Sequence, residues 1–235
     1  MALIKCKECG KKISDTVRVC PNCGYKEKKQ ISKKNCIIIG VIVIVLIISA
    51  LIIGIFVKIN KDKQIKEYEQ SLVETGGKIY VNGLVSQVYC YDISKVWYNT
   101  IFKVSDSKYD EYTHYQIIAG GNSYFNSDFN DSIKNYINKN IKGLSKLDNT
   151  KEDLSKNIKE LKNTPNDKYK ETYAALVDFY GVFSKLVDFA TNPSGSLTEY
   201  SKSYHTYSSD FEEAYNKVKV LLPEVEKYKD NKNKK

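Results

Sequence analysis

Histidine, methionine and tryptophan are almost missing from this 235-residue chain, which has 2 His, 1 Met and 1 Trp. Two histidines leave little material for imidazole-based catalysis. With 12 Gly and 4 Pro the chain is neither collagen-like nor a Pro/Gly low-complexity polymer, and 6 Cys in this length is far from a disulfide-dense scaffold. No Walker A, Rossmann or HExxH pattern occurs, and no repeat of fixed period. The length allows one or two domains. What is plentiful is tyrosine, 19 residues, and lysine.

The net charge of +9 is unevenly placed. Residues 1–35 carry ten Lys/Arg against three Asp/Glu, a net +7, whereas residues 58–235 carry 27 against 25, a net +2. A uniformly basic chain would suggest nucleic acid. A charge asymmetry about an apolar block suggests membrane topology instead.

That block is Ile37 to Val57, 21 residues without a charge, in which only Gly40, Ser49 and Gly54 are not aliphatic or aromatic. As a helix it is about 31 Å long, matched to a hydrocarbon core of roughly 30 Å. A soluble core helix would show a polar face, and this one has none. A cleaved signal peptide fits poorly: 36 residues precede the block, and Val57-Lys-Ile-Asn60 is no small-residue cleavage site. The expectation is an uncleaved signal-anchor. Lys26, Lys28, Lys29, Lys33 and Lys34 crowd its N-terminal flank, while the C-terminal flank mixes lysines with Asp62, Glu67 and Glu69. The positive-inside rule then keeps the N-terminus cytoplasmic and residues 58–235 outside. Ala50 and Gly54 form a small-xxx-small pair that leaves a homodimer open, although the ordinary composition of membrane helices accounts for it.

Ahead of the block stand Cys6-Lys-Glu-Cys9-Gly10 and Cys20-Pro-Asn-Cys23-Gly24, a doubled CxxC with ten residues between the pairs. Four thiolates surround zinc tetrahedrally. The two-residue spacer turns both sulfurs of a pair toward one ion, and the following Gly permits the left-handed backbone that closes the turn. Lys11–Val19 is long enough for a short connecting hairpin, although the spacing is below the ~15–20 residues of longer ribbons. Disulfides are disfavoured where cytoplasmic thiols stay reduced. A redox CxxC belongs at a helix start in a βαβ unit, which this sequence lacks. The expected site is structural zinc (Zn2+) on Cys6, Cys9, Cys20 and Cys23, with no open coordination position for catalysis.

Met1-Ala-Leu-Ile-Lys-Cys-Lys-Glu-Cys-Gly followed by Val19-Cys-Pro-Asn-Cys-Gly-Tyr25 resembles the N-terminal ribbon of zinc-ribbon domain-containing single-pass membrane proteins of low-GC Gram-positive bacteria. The resemblance covers residues 1 to about 60. It implies a ribbon, a basic linker, one membrane span and a variable extracellular region. The layout is similar to that of teicoplanin-resistance-associated membrane proteins, but the outer region here is shorter and carries no motif across.

Past Asn60 the pattern is helical. Residues 58–77 read as a stalk helix interrupted at Gly76-Gly77. Val81, Leu84, Val85, Val88, Tyr89, Val96 and Trp97 then mark one face of a helix to about residue 102. Residues 105–127 form the longest irregular stretch and the natural place for a binding loop, with a short strand at Tyr115. Asp128 caps a helix, and Thr150–Asp153 resembles the capping box of the next one. Two long helices flank the turn Asn192–Ser196 and should form an antiparallel hairpin, ended by Pro223. The expected outer architecture is an all-α helical bundle of four or five helices.

Most of the 18 outer tyrosines fall on apolar stripes and read as core or boundary residues; Tyr207 leaves its stripe and flanks His205. Cys90 reads as a buried free thiol. His205, Ser208, Ser209 and Asp210 look suggestive as text, but a regular helix offers no oxyanion site. His114, near Asp110, has no ligand-like spacing around it.

The expected domains are a zinc ribbon (1–26), a basic juxtamembrane linker (27–36), a transmembrane helix (37–57), a stalk helix (58–77), a helical extracellular domain (78–226) and a charged tail (227–235). The expected function is non-enzymatic: cell-envelope sensing, docking or scaffolding. Its partners are membrane lipid, a protein or cell-wall component outside and a protein docked on the ribbon inside; nucleic acid is disfavoured. The alternatives are a cell-wall enzyme or enzyme accessory using the 105–127 loop or the His205 region, and a mobile-element or phage-encoded envelope-blocking protein.

Overall fold

A computed structural model describes residues 2–26, 33–116 and 123–228. Most of the expected basic linker, the Gly120-Gly121 part of the expected binding loop and the tail from residue 229 lie outside the described residues. The chain divides into two compact units, Met1–Asn60 and Lys61–Lys235.

The first unit opens with β1 (Leu3–Lys5) and β2 (Lys12–Ser14), paired antiparallel with Ile4 opposite Ile13. The apolar block follows as the first part of α1 (Lys33–Phe102). Its side chains from Gly40 to Asn60 are exposed on every side. By length and composition this helix is able to cross a membrane.

The second unit is built from the rest of α1, a short α2 (Asp110–Thr113), a β3–β4 hairpin (His114–Gln116 with Ser123–Phe125), and three long helices: α3 (Phe129–Glu160), α4 (Lys170–Thr191) and α5 (Leu197–Leu221). The strand expected at Tyr115 is present, so the second unit is helical but not all-α. Asp128 caps α3 by accepting from the Asn130 amide at 2.8 Å. Ser196 and Glu199 form the capping box of α5. Contacts of Phe189 with Tyr200 and of Phe179 with Phe211 run in opposite chain directions, so α4 and α5 form the expected antiparallel hairpin. Pro223 ends α5 and starts a 3-10 turn.

Two helix breaks expected from the sequence do not occur. α3 runs through Thr150, whose hydroxyl donates back to the Lys146 carbonyl at 2.8 Å instead of capping a new helix. α1 runs through Gly76-Gly77, and the residues read as a stalk join the core at Leu72 and Thr75. The glycines answer a packing demand. A Cβ on Gly77 would lie 2.1 Å from the Tyr228 ring, and one on Gly76 would lie 3.1 Å from Val225.

The same demand corrects the core face of α1. Leu84, Val85 and Val88, expected inside, are 41%, 41% and 56% exposed. Ile79, Gly83, Ser86, Cys90, Ile93 and Val96 face inward. A Cβ on Gly83 would lie 2.1 Å from Phe211. Val96 and Trp97 are buried as expected, so hydrophobicity alone marks the wrong side only along residues 84–88, where close packing takes the small residues of α1 instead. One core cluster joins Leu72, Ile79, Leu154, Phe179, Phe183 and Phe211; a second joins Ile93, Trp97, Ile133, Tyr136 and Tyr200.

Candidate metal centre

The ribbon brings all four predicted cysteines together. Cys6 starts a turn at the end of β1, where its amide donates to the Lys11 carbonyl at 2.9 Å and Gly10 donates to the Cys6 carbonyl at 3.0 Å. The second pair repeats the design: the Cys20 amide donates to the Tyr25 carbonyl and Gly24 to the Cys20 carbonyl, both at 2.9 Å. Gly10 and Gly24 sit at φ 69° and 72°, the left-handed region expected of them. An isolated bridge between Val19 and Lys26 closes the second knuckle.

The sulfur geometry fits a tetrahedral ion. The four Sγ atoms lie within 4.8 Å of one another. Cys6 to Cys23 and Cys9 to Cys20 are both 3.7 Å apart. Zinc–sulfur bonds of about 2.3 Å in a tetrahedron place sulfurs roughly 3.8 Å apart. Cys6 and Cys20 are buried, Cys9 and Cys23 exposed. Against the opposing effect of desolvation, backbone amides of Asn22 and Cys23 and neighbouring thiols lower the Cys20 pKa to about 7. Although the Tyr25 amide works the other way, desolvation and the neighbouring thiols raise Cys23 to about 12. Four converging thiols cannot all ionise unaided, and a divalent cation removes that conflict. The donor set is all sulfur and complete, the composition of a structural zinc site.

The other sequence candidates lie apart in the second unit. His114 is on β3, with Nδ1 2.9 Å from the Thr113 hydroxyl, 3.6 Å from Asp110, and its ring against Phe125. His205 and Ser208 share α5; no hydrogen bond among the described residues joins His205 to Ser208 or Ser209. Tyr207 does not leave its stripe, because it packs edge-on against Phe189 at 5.3 Å. Cys90 is buried as expected, 3.8 Å from the Leu186 carbonyl, and burial pushes its thiol up to about 12.

Two arrangements were not read from the sequence. Asp92 on α1 is 9% exposed and accepts from Lys108 at 2.8 Å, Tyr109 at 2.7 Å and Tyr136 at 3.1 Å. Its only signal is an acid within an otherwise apolar run. This carboxylate ties α2 and α3 to α1, and the pair raises the Lys108 pKa. A cleft of about 1170 Å³ lies where α1 meets the 3-10 turn Asp167–Tyr169 and the end of α5. Its walls alternate Lys66, Lys78 and Lys168 with Glu69, Glu74 and Glu224.

A zinc-ribbon domain family model matches residues 5–26, the segment holding the four cysteines. No curated protein and no solved structure matches the chain.

Proposed function

We propose that the chain is a non-enzymatic, single-pass membrane protein of the cell envelope. Its zinc ribbon is cytoplasmic, and its extracellular helical unit binds a protein or cell-wall component. The observation that carries this reading is the all-round exposure of the uncharged stretch of α1. Ile44, Leu46, Leu51, Ile53 and Phe56 are each more than half exposed, without a polar face among them. Water does not tolerate such a helix, whereas a bilayer requires one. The lysine-rich N-terminal flank sets the direction.

In this reading Cys6, Cys9, Cys20 and Cys23 hold the ion, which supplies the ribbon's fold rather than chemistry. The ribbon then presents Leu3, Ile4, Val17 and Val19, all exposed, to a cytoplasmic partner. The test is protease added to intact cells that carry one epitope after Met1 and another after Lys235. Loss of the C-terminal epitope with survival of the N-terminal one is expected. The reverse pattern would sink the topology, and recovery of the chain in the soluble fraction would sink the membrane reading.

A further inference from the structure

We propose that α1 carries a second helix-packing seam through which the outer unit pairs with a second copy of this chain. A surface helix ordinarily turns one apolar stripe to its core and a polar face to water. Here the core side of α1 is taken by Gly83, Ser86, Cys90, Ile93, Trp97 and Thr100, all buried. The opposite side is apolar as well, and Tyr91, Lys95 and Tyr98 on it border a groove shared with Leu197, Ser201, Tyr204 and His205 of the same chain. Leu84, Val88, Tyr91, Tyr98 and Phe102 are 41%, 56%, 44%, 44% and 57% exposed.

Their spacing selects the occupant. Val81, Val88, Lys95 and Phe102 stand seven residues apart, with Leu84, Tyr91 and Tyr98 three residues after the first three of them. This 3-4-3-4 alternation over three heptads is the a/d pattern of a helix meeting a like helix, knobs into holes. Val85 and Ile101, also exposed at 41% and 43%, flank that stripe at e and g positions. A lone lysine at an a position is a known register device: it costs stability and excludes shifted pairings. Lys95 lies with its Nζ 5.5 Å from the Tyr91 ring centre, one turn back on the same helix.

Two segments outside the described residues do not suit the seam. The tail Lys229–Lys235 contains no apolar residue. Residues 117–122, fully extended, reach only about 20 Å, against roughly 33 Å for three heptads of helix. A second copy brings an identical seam, as a two-fold interface requires. The exposed face involves fewer residues than the ~20–30 per side of a standard interface. Confinement in a shared bilayer, where both copies enter from the same side, raises the effective concentration and imposes a parallel arrangement. That orientation rests on the membrane reading above; the seam itself does not.

The experiment uses the full-length protein in its own membranes and a short thiol-to-thiol crosslinker. Val88→Cys and Tyr98→Cys place a thiol on the seam; Ile141→Cys, on an exposed position of α3, is the control, and the unaltered chain gives the background from native cysteines. Crosslinked dimer at least tenfold above the Ile141→Cys level is expected for both seam variants. In micelles, Val88→Glu combined with Tyr91→Glu should lower the dimer fraction at least tenfold with helical content unchanged, and Lys95→Leu should raise it. Equal crosslinking at Ile141→Cys, or a monomer throughout, overturns the proposal. So does crosslinking only to a different protein, or a dimer abolished by Gly54→Leu and untouched by the seam changes. Fractionation of the same samples reports the membrane reading separately, because a soluble chain that still crosslinks at Val88→Cys would sink that reading and keep the seam.

Discussion

The ribbon and the helical unit of residues 61–235 are stabilised by different means, and the contrast shows in what each one buries. Among residues 2–26 only Cys6 and Cys20 are buried, while Leu3, Ile4, Val17 and Val19 remain exposed. Folding so short a segment on apolar burial alone does not offset its conformational entropy. The sulfur cluster must therefore carry the fold. The helical unit instead buries Leu72, Ile79, Phe179, Phe183, Leu186 and Phe211 completely or nearly so, in a continuous core. One unit depends on an ion and is otherwise nearly coreless; the other depends on close packing.

The strongest way to break that contrast is to remove one thiolate. Cys6→Ser, or a zinc chelator, should abolish amide-exchange protection across residues 2–26 altogether. Structural zinc contributes on the order of 10 kcal/mol in small ribbons, far more than such a segment holds in reserve. The helical signal of residues 61–235 should stay unchanged. A loss of outer helicity would show that the two units are not independent.

The matching attack on the helical unit is steric. Gly83→Val places a Cβ within 2.1 Å of Phe211, whose ring is 2% exposed and has no way out. Overpacking of this kind costs about 1–3 kcal/mol or more. The denaturant midpoint of the helical unit should fall accordingly, while the zinc content of the ribbon stays at its original level. A neutral Gly83→Val would mean that α1 and α5 do not approach as closely as the contact implies.

The two units were also unequally legible in the sequence. Everything in the ribbon is local: each CxxC and its glycine make one turn, and the doubled motif names all four ligands. The start of α3, the turn between α4 and α5 and the end of α5 were similarly readable, because Asp128, Asn192–Ser196 and Pro223 act on their own neighbours. The face of α1 was not. Its phase is decided by Phe211, Val225 and Tyr228, more than a hundred residues away, which demand glycine at 76, 77 and 83. A pair of glycines reads locally as a break and a Leu-Val pair reads as core, yet distant packing reverses both. The Asp92 network was hidden for the same reason, since Tyr109 and Tyr136 reach it across 17 and 44 residues.

That network gives the next smaller effect. Asp92→Ala leaves the hydroxyls of Tyr109 and Tyr136 without their acceptor, and stranded buried donors cost about 1–3 kcal/mol. The Lys108 arm adds little, because its side chain is 60% exposed. Hydrogen exchange should rise first in residues 103–113, which the carboxylate ties to α1, before the rest of the unit loosens. Uniform acceleration would assign Asp92 to the general core instead.

The smallest effect separates the units by pH. Glu69 accepts from the Tyr169 hydroxyl, and Lys168 lies 3.4 Å from its carboxylate. The tyrosine bond, which outweighs the desolvation, and then the lysine hold its pKa below the ordinary carboxylate value. A carboxylate depressed in the folded state adds stability that is fully present above its unfolded pKa, about 4.3, and is lost as pH falls through the folded value. The helical unit should therefore lose a few tenths of a kcal/mol below about pH 4, an amount kept small by solvent screening. Glu69→Gln should remove that acid-dependent step. The ribbon should also fail in acid, but by competition of protons with the ion for thiolate, so its midpoint should move with zinc concentration. A transition of the helical unit that also followed zinc would join the two units energetically and end the contrast between them.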